Sequence, residues 1–117
     1  MRHNLKKTKF GIRAAYGTAL VRNLVTSLLE HGKIETTEKR AKALKAAVDR
    51  LISKAVRQGG VQGARSVDTM VMTKKAYERF NTLKDTFRMD GSNVRITKLR
   101  NRTGDNATIV QVDLIAK

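Results

Sequence analysis

From Thr18 the apolar residues fall into a helical period. Leu20, Val21, Leu24, Val25 and Leu28 share one face at 100° per residue. Thr18 is the expected N-cap and Gly32 the left-handed residue after the last turn. His31 stands in that turn, where the helix dipole favours positive charge. Lys33-Ile34-Glu35-Thr36 reads as a short strand or an extended link. Thr37, or Thr36, then caps a second helix with Glu38 in its first turn. Ala41, Leu44, Val48, Leu51 and Ala55 alternate three- and four-residue steps, with Ile52 beside them, and the pattern stops before Gly59-Gly60. The stripe spans under three heptads, so it predicts packing into a core rather than a coiled coil.

Residues 58–66 (Gln-Gly-Gly-Val-Gln-Gly-Ala-Arg-Ser) are rich in glycine and read as a connection. They lack the Lys-Ser/Thr of a phosphate-binding loop and the spacing of a dinucleotide fingerprint. Ser66 is expected to cap a short helix through Met72. Thr73 is expected to cap another, with Ala76, Tyr77, Phe80, Leu83 and Phe87 on one face. Tyr77 and Phe80 lie on that stripe and are assigned to the core rather than to base stacking. The period then changes to two. Val94 and Ile96 alternate with Arg95 and Thr97, and Val110, Val112 and Leu114 alternate with Gln111 and Asp113, which predicts an antiparallel hairpin of 94–99 and 108–115 around a basic loop from Arg100 to Ala107. Strand 33–36 is expected in the same sheet.

These elements define an α+β fold, with helices packed on a small mixed sheet that ends in a C-terminal β-hairpin. One compact domain over 16–117 would follow an extended basic arm over 1–15. Leu24, Leu28, Leu44, Val48, Leu51, Phe80 and Val112 are the residues expected to be buried.

Charge changes the picture more than pattern does. The 117 residues carry 25 Lys and Arg against 10 Asp and Glu, a formal net charge of +15. Such self-repulsion disfavours a compact state unless a polyanion neutralises it. An apolar content of 40% still argues against full disorder. With no Cys, disulfide frameworks, thiolate metal sites and cysteine nucleophiles are excluded. No apolar run approaches the ~20 residues of a membrane span. The segment Ala14–Val21 is too interrupted for a secretory core. The acid-poor start has one serine, Ser27, before Glu30, which disfavours a transit peptide.

No nucleophile–base pair, carboxylate pair or metal-ligand spacing is visible, so neither enzymatic activity, cofactor, metal nor small-molecule substrate is expected. His31 has no patterned partner and suits a capping or RNA-contacting role. Nucleic-acid binding is supported by the distribution of charge. Lys6, Lys7, Lys9 and Arg13, with Arg2, make the arm basic. Lys39, Arg50, Lys54 and Arg57 cluster opposite the apolar stripe of the second helix, and Arg100 and Arg102 stand in the hairpin loop. Separated patches on one small domain suit a folded RNA. Two rival readings are a DNA-compacting protein and an interaction module whose charge serves only solubility.

The order of several segments carries a resemblance. Met1-Arg2-His3 opens the chain. Arg22-Asn23-Leu24, Ser27-Leu28, His31-x-x-Ile34-x-Thr36-Thr37 and Ala41-Lys42-x-Leu44 follow, then Arg95-Ile96 and Gly104-Asp105-Asn106-Ala107. The chain resembles the bacterial large-subunit ribosomal protein seventeen family in order and nearly in register throughout. The resemblance implies a structural role in the large ribosomal subunit and a cytoplasmic location within the ribosome. Its partners would be 23S ribosomal RNA near the rim of the peptide exit tunnel and neighbouring large-subunit proteins. By matching position, it implies RNA contacts at Arg2, His3, Arg22, Asn23, Thr36, Thr37, Lys42, Arg95 and Arg102. The chain departs from the family pattern at Tyr16-Gly17, where a His-Arg pair is usual before the first helix. It also departs at Thr108, where Pro is common, and at Gly91-Ser92-Asn93, where the family has a tyrosine-containing turn.

Overall fold

The computed structural model describes residues 9–115. Helix α1 spans Ala14–His31, strand β1 Lys33–Thr37, α2 Glu38–Gln58, α3 Gly60–Met70, α4 Lys74–Leu83, β2 Val94–Asn101 and β3 Thr108–Leu114. A single 3-10 turn, Lys84–Thr86, follows α4.

Helix α1 starts four residues before the expected cap. Two alanines, the strongest helix formers, extend it to Ala14. Thr18 therefore lies inside, where its hydroxyl donates to Ala14 O at 3.1 Å. Tyr16 and Gly17 accordingly lie within α1 and not before it. The predicted stop holds: Gly32 has φ +78°, and its N–H donates to Leu28 O at 2.8 Å.

The stretch read as a glycine-rich connection is helical. Gly59 and Gly60, at φ +59° and +48°, turn the chain sharply after α2. Helix α3 then starts at once and packs back on α2. Gly63 is the contact: a Cβ there would stand 2.6 Å from the Ala55 carbonyl oxygen. Close approach of the two backbones therefore overrides the poor helix propensity of glycine. Val67, one turn on, is buried with Gly63. Ser66 is mid-helix rather than a cap, its hydroxyl lying 3.0 Å from Gln62 O and 2.6 Å from Gln58 Oε1. Thr73 does cap α4, its hydroxyl accepting the Ala76 N–H at 3.3 Å. Phe87 lies beyond that helix rather than on its stripe. It is buried all the same, with its ring 5.2 Å from that of Phe80.

The strands form one sheet in the order β1-β3-β2, and both pairings are antiparallel. The small sheet anticipated as mixed is thus antiparallel throughout. The hairpin is as predicted, with Val94 opposite Leu114 and Ile96 opposite Val112, and β1 joins on the other side of β3 with Ile34 opposite Val112. A bulge at Leu99 shifts the register between Lys98 and Arg100. Strand β2 runs two residues further than expected, which shortens the loop to 102–107.

Helix α2 packs on all three strands and α1 on β1 and β3, while α3 packs on α2 and α4 on α1. Val25, Leu28, Leu44, Val48, Ile52, Phe80, Val94, Val110 and Val112 are buried to within 1–2% of full exclusion. Leu51 is also buried, whereas Leu24, expected in the core, sits at its border and is half-buried. Val25 and Leu29 take the inward positions, because α1 is rolled slightly from the phase its leucines suggest.

Candidate nucleic-acid interface

On α2 the buried residues Ala41, Leu44, Val48, Leu51, Ile52 and Ala55 fix the roll of the helix. Lys39, Arg50, Lys54 and Arg57 then lie on the opposite, exposed face within a sector of about 60°, along about 27 Å of helix at 1.5 Å per residue. Among the described residues none of these four has a carboxylate within 4.0 Å. The acids of α2 are spent elsewhere. Glu38 pairs with Lys42 across one turn at 3.5 Å. Asp49 is turned toward the segment before β2, where it accepts from Ser92 Oγ at 2.9 Å and the Asn93 N–H at 3.1 Å.

The hairpin differs in its electrostatics. Each of its arginines faces an acid: Arg95 with Asp113 at 3.8 Å, Arg100 with Glu35 across β3 at 3.0 Å, and Arg102 with Asp105. The last is a fork, with Nε at 2.9 Å and Nη2 at 2.6 Å from the two carboxylate oxygens. That guanidinium, helped by the Ala107 N–H, holds the Asp105 carboxyl down at about 2; Arg102 is correspondingly raised. The loop closes through Arg102 N–H to Ala107 O at 2.8 Å, with Asn106 left-handed at φ +58°.

The other expected contacts are scattered. Arg22 is half-buried, its Nε donating to Met70 O at the end of α3 at 3.5 Å, while Asn23 beside it is exposed. One turn on, buried Thr26 accepts the Met72 N–H at 3.1 Å, so α1 grips the α3–α4 turn at two points. Thr36 is in register with fully buried Val110 and lies on the helix-facing side of β1; Thr37, opposite Ile109, is on the outer side. These two neighbours thus face opposite ways. Lys9 and Arg13 are exposed. Between them Phe10 is half-buried, near Gly17 of α1 and under Lys39 Nζ, which lies 5.9 Å from its ring centroid. Arg2, His3, Lys6 and Lys7 lie outside the described residues. His31 has a 62% exposed side chain, with Nε2 3.9 Å from Glu30.

A shallow cavity of about 260 Å³ opens at the α3–α4 turn, lined by Asp68, Val71, Met72, Thr73, Lys74 and Tyr77. Tyr77 reaches the edge of the core from there, whereas Phe80 is fully inside. Among the described residues no group of three His, Cys, Asp or Glu could hold a metal ion, and no helix is long and apolar enough to cross a membrane.

Comparison with known proteins then decides the family. The family model for ribosomal protein L17 matches residues 20–115. The chain belongs to the ribosomal protein L17 family. It is 39% identical over 117 residues to the large ribosomal subunit protein bL17 of Syntrophotalea carbinolica, covering 98% of this chain and 75% of that protein. The bL17 proteins of Geobacter metallireducens and Desulforapulum autotrophicum are each 34% identical over 117 residues. Both matches cover 98% of this chain, and they cover 65% and 97% of the relatives. The family match includes α2 and the hairpin and leaves out residues 1–19.

Sequence reasoning identified the α2 cations from their angular spacing. It did not identify Asp49 and Asn93 as a structural pair. The only signal for Asp49 was its position off the basic sector, next in sequence to Arg50.

Proposed function

We propose that this chain is a structural, non-catalytic component of the large ribosomal subunit. In this reading it binds 23S ribosomal RNA near the rim of the peptide exit tunnel, beside neighbouring large-subunit proteins, in the cytoplasm. Membership of the L17 family, whose curated relatives are named as large-subunit proteins, supports the ribosomal part. The observation that carries the RNA part is the exposed line of α2 cations with no acid in reach.

The mechanism is electrostatic and geometric. A packed core holds the basic patches of α2 and the hairpin at a fixed separation. Each phosphate neutralised releases condensed counterions, which gives affinity without reading bases. Basic residues 2–13 would add contacts beyond the domain. One small protein can in this way tie together RNA segments distant in sequence.

Sedimentation of the native protein from a lysate tests the reading. It should cofractionate with large subunits and resist moderate salt. Association with DNA, or a free soluble pool, would overturn it. The structure of the intact particle then tests the position at the tunnel rim.

A further inference from the structure

The hairpin arginines and the α2 ridge differ in whether an acid is in reach. The hairpin arginines are neutralised locally by Asp113, Glu35 and Asp105. A neutralised pair adds little to the field felt a Debye length away, ~8–10 Å at ordinary ionic strength. The cations of the α2 ridge retain their full charge, because Asp49 is bound to Ser92 and Asn93 and Glu38 to Lys42. Lys75 and Arg79 of α4 are also exposed, but they share that short helix with Glu78.

Resting on the ribosomal RNA reading above, we infer that the α2 ridge of Lys39, Arg50, Lys54 and Arg57 is the domain's main phosphate-binding surface, and that its ligand is the backbone of double-helical RNA. The ridge is straight, and the core beneath it fixes its orientation. Ala43, Ala46 and Ser53 lie between the cations, so no bulky side chain holds a duplex away. Helix α2 itself carries no aromatic residue, and among the described residues the ring that meets the ridge is Phe10, half-buried under Lys39 at one end. Single-stranded RNA is held largely by stacking on aromatic rings, whereas duplex RNA is recognised by shape and backbone. The hairpin arginines, already paired, contribute orientation more than affinity.

The test compares the full chain with two triple variants, Arg50→Ala/Lys54→Ala/Arg57→Ala and Arg95→Ala/Arg100→Ala/Arg102→Ala. The probes are a blunt RNA duplex long enough to span the ridge and one of its strands alone. Binding is titrated over a range of salt. The ridge variant should lose about 2 to 3 units from the slope of log affinity against log salt, and the hairpin variant less than one. The full chain should prefer the duplex. A second measurement needs no variant: bound duplex should protect Lys39 and Lys54 from a small acylating reagent while Lys33 and Lys98 of the sheet stay reactive. Slope loss confined to the hairpin variant, protection of Lys98 rather than Lys54, or equal binding of the single strand would overturn the ridge assignment and leave the ribosomal reading standing. Failure of the full chain to bind large-subunit RNA of any kind would overturn both.

Discussion

Asn93 donates its backbone N–H to Asp49 at 3.1 Å, joining the middle of α2 to the entry of β2. The Asn93 side chain, on a residue only 2% exposed, also closes the turn before it. Its Oδ1 accepts the Arg88 N–H at 2.7 Å and its Nδ2 donates to Arg88 O at 2.8 Å. Its backbone oxygen accepts the Ile115 N–H at 2.8 Å. One residue thus ties helix, turn and hairpin together, and it withdraws the only mid-helix acid of α2 from the basic face. Asn93→Ala removes two side-chain hydrogen bonds and should cost about 1–3 kcal/mol. Asp49→Ala should cost a similar amount, because hydrogen bonds to a charged group are the stronger kind. Urea unfolding measures both. A cost near zero for either would mean that water replaces these bonds.

Gly63 and Gly17 should respond oppositely to alanine. Both are within helices and neither has positive φ. At Gly63 the new Cβ would press on the Ala55 carbonyl oxygen, which belongs to backbone and cannot swing away. Overpacking of this kind costs about 1–3 kcal/mol. At Gly17 the nearest atom is Phe10 Cδ2 at 3.7 Å, an ordinary contact. There alanine should stabilise by roughly 0.5–1 kcal/mol through helix propensity. Thermal unfolding of the two variants gives the signs, and a stabilised Gly63→Ala would mean that the α2–α3 contact is looser than described.

The same glycine explains what sequence could and could not tell. The hairpin, the Gly32 stop and the Thr73 cap depend on local spacing and turn chemistry, and all three were legible. Helix α3 was not. Gly59, Gly60 and Gly63 read locally as a loop, and only the backbone of α2 makes Gly63 an asset. For the candidate site, the angular cluster of α2 cations followed from periodicity alone. Whether those cations keep their charge depended on where Asp49 turned, which is set by residues more than forty positions away. Arg22 and Thr36 match the family motif, but pairing with Met70 O and with Val110 directs one toward α3 and the other toward the core side of the sheet.

The hairpin loop should show an unusual acid titration. Asp105 is held down at about 2 by Arg102 and then by the Ala107 N–H. A carboxyl depressed in the folded state supports that state fully above its ordinary value of 3.8, and the support fades as pH falls through about 2. An NMR titration of the Asp105 carboxyl should therefore give a midpoint near 2. Arg102→Ala should return it toward 3.8, since the guanidinium supplies the largest share of the shift. A midpoint unmoved by that substitution would show that the fork does not persist in solution.

Two N-terminal deletions separate charge from packing. Removing residues 2–8 takes away Arg2, Lys6 and Lys7, three positive charges. If all three meet phosphate, the salt slope for large-subunit RNA should fall by roughly 2 to 3 units. The stability of the free protein should not change. Removing residues 2–13 also takes Lys9, Arg13 and Phe10. The half-buried ring near Gly17 and under Lys39 is then lost. Partial burial of a phenylalanine is worth about 1 kcal/mol, so only the longer deletion should lower the urea midpoint. Salt titrations and unfolding curves of both proteins, on the same RNA, make the comparison. Equal stability would mean that Phe10 contributes nothing to the domain. An unchanged slope in both would make the N-terminal residues a solvated tail and leave the α2 ridge and the hairpin to bind the RNA alone.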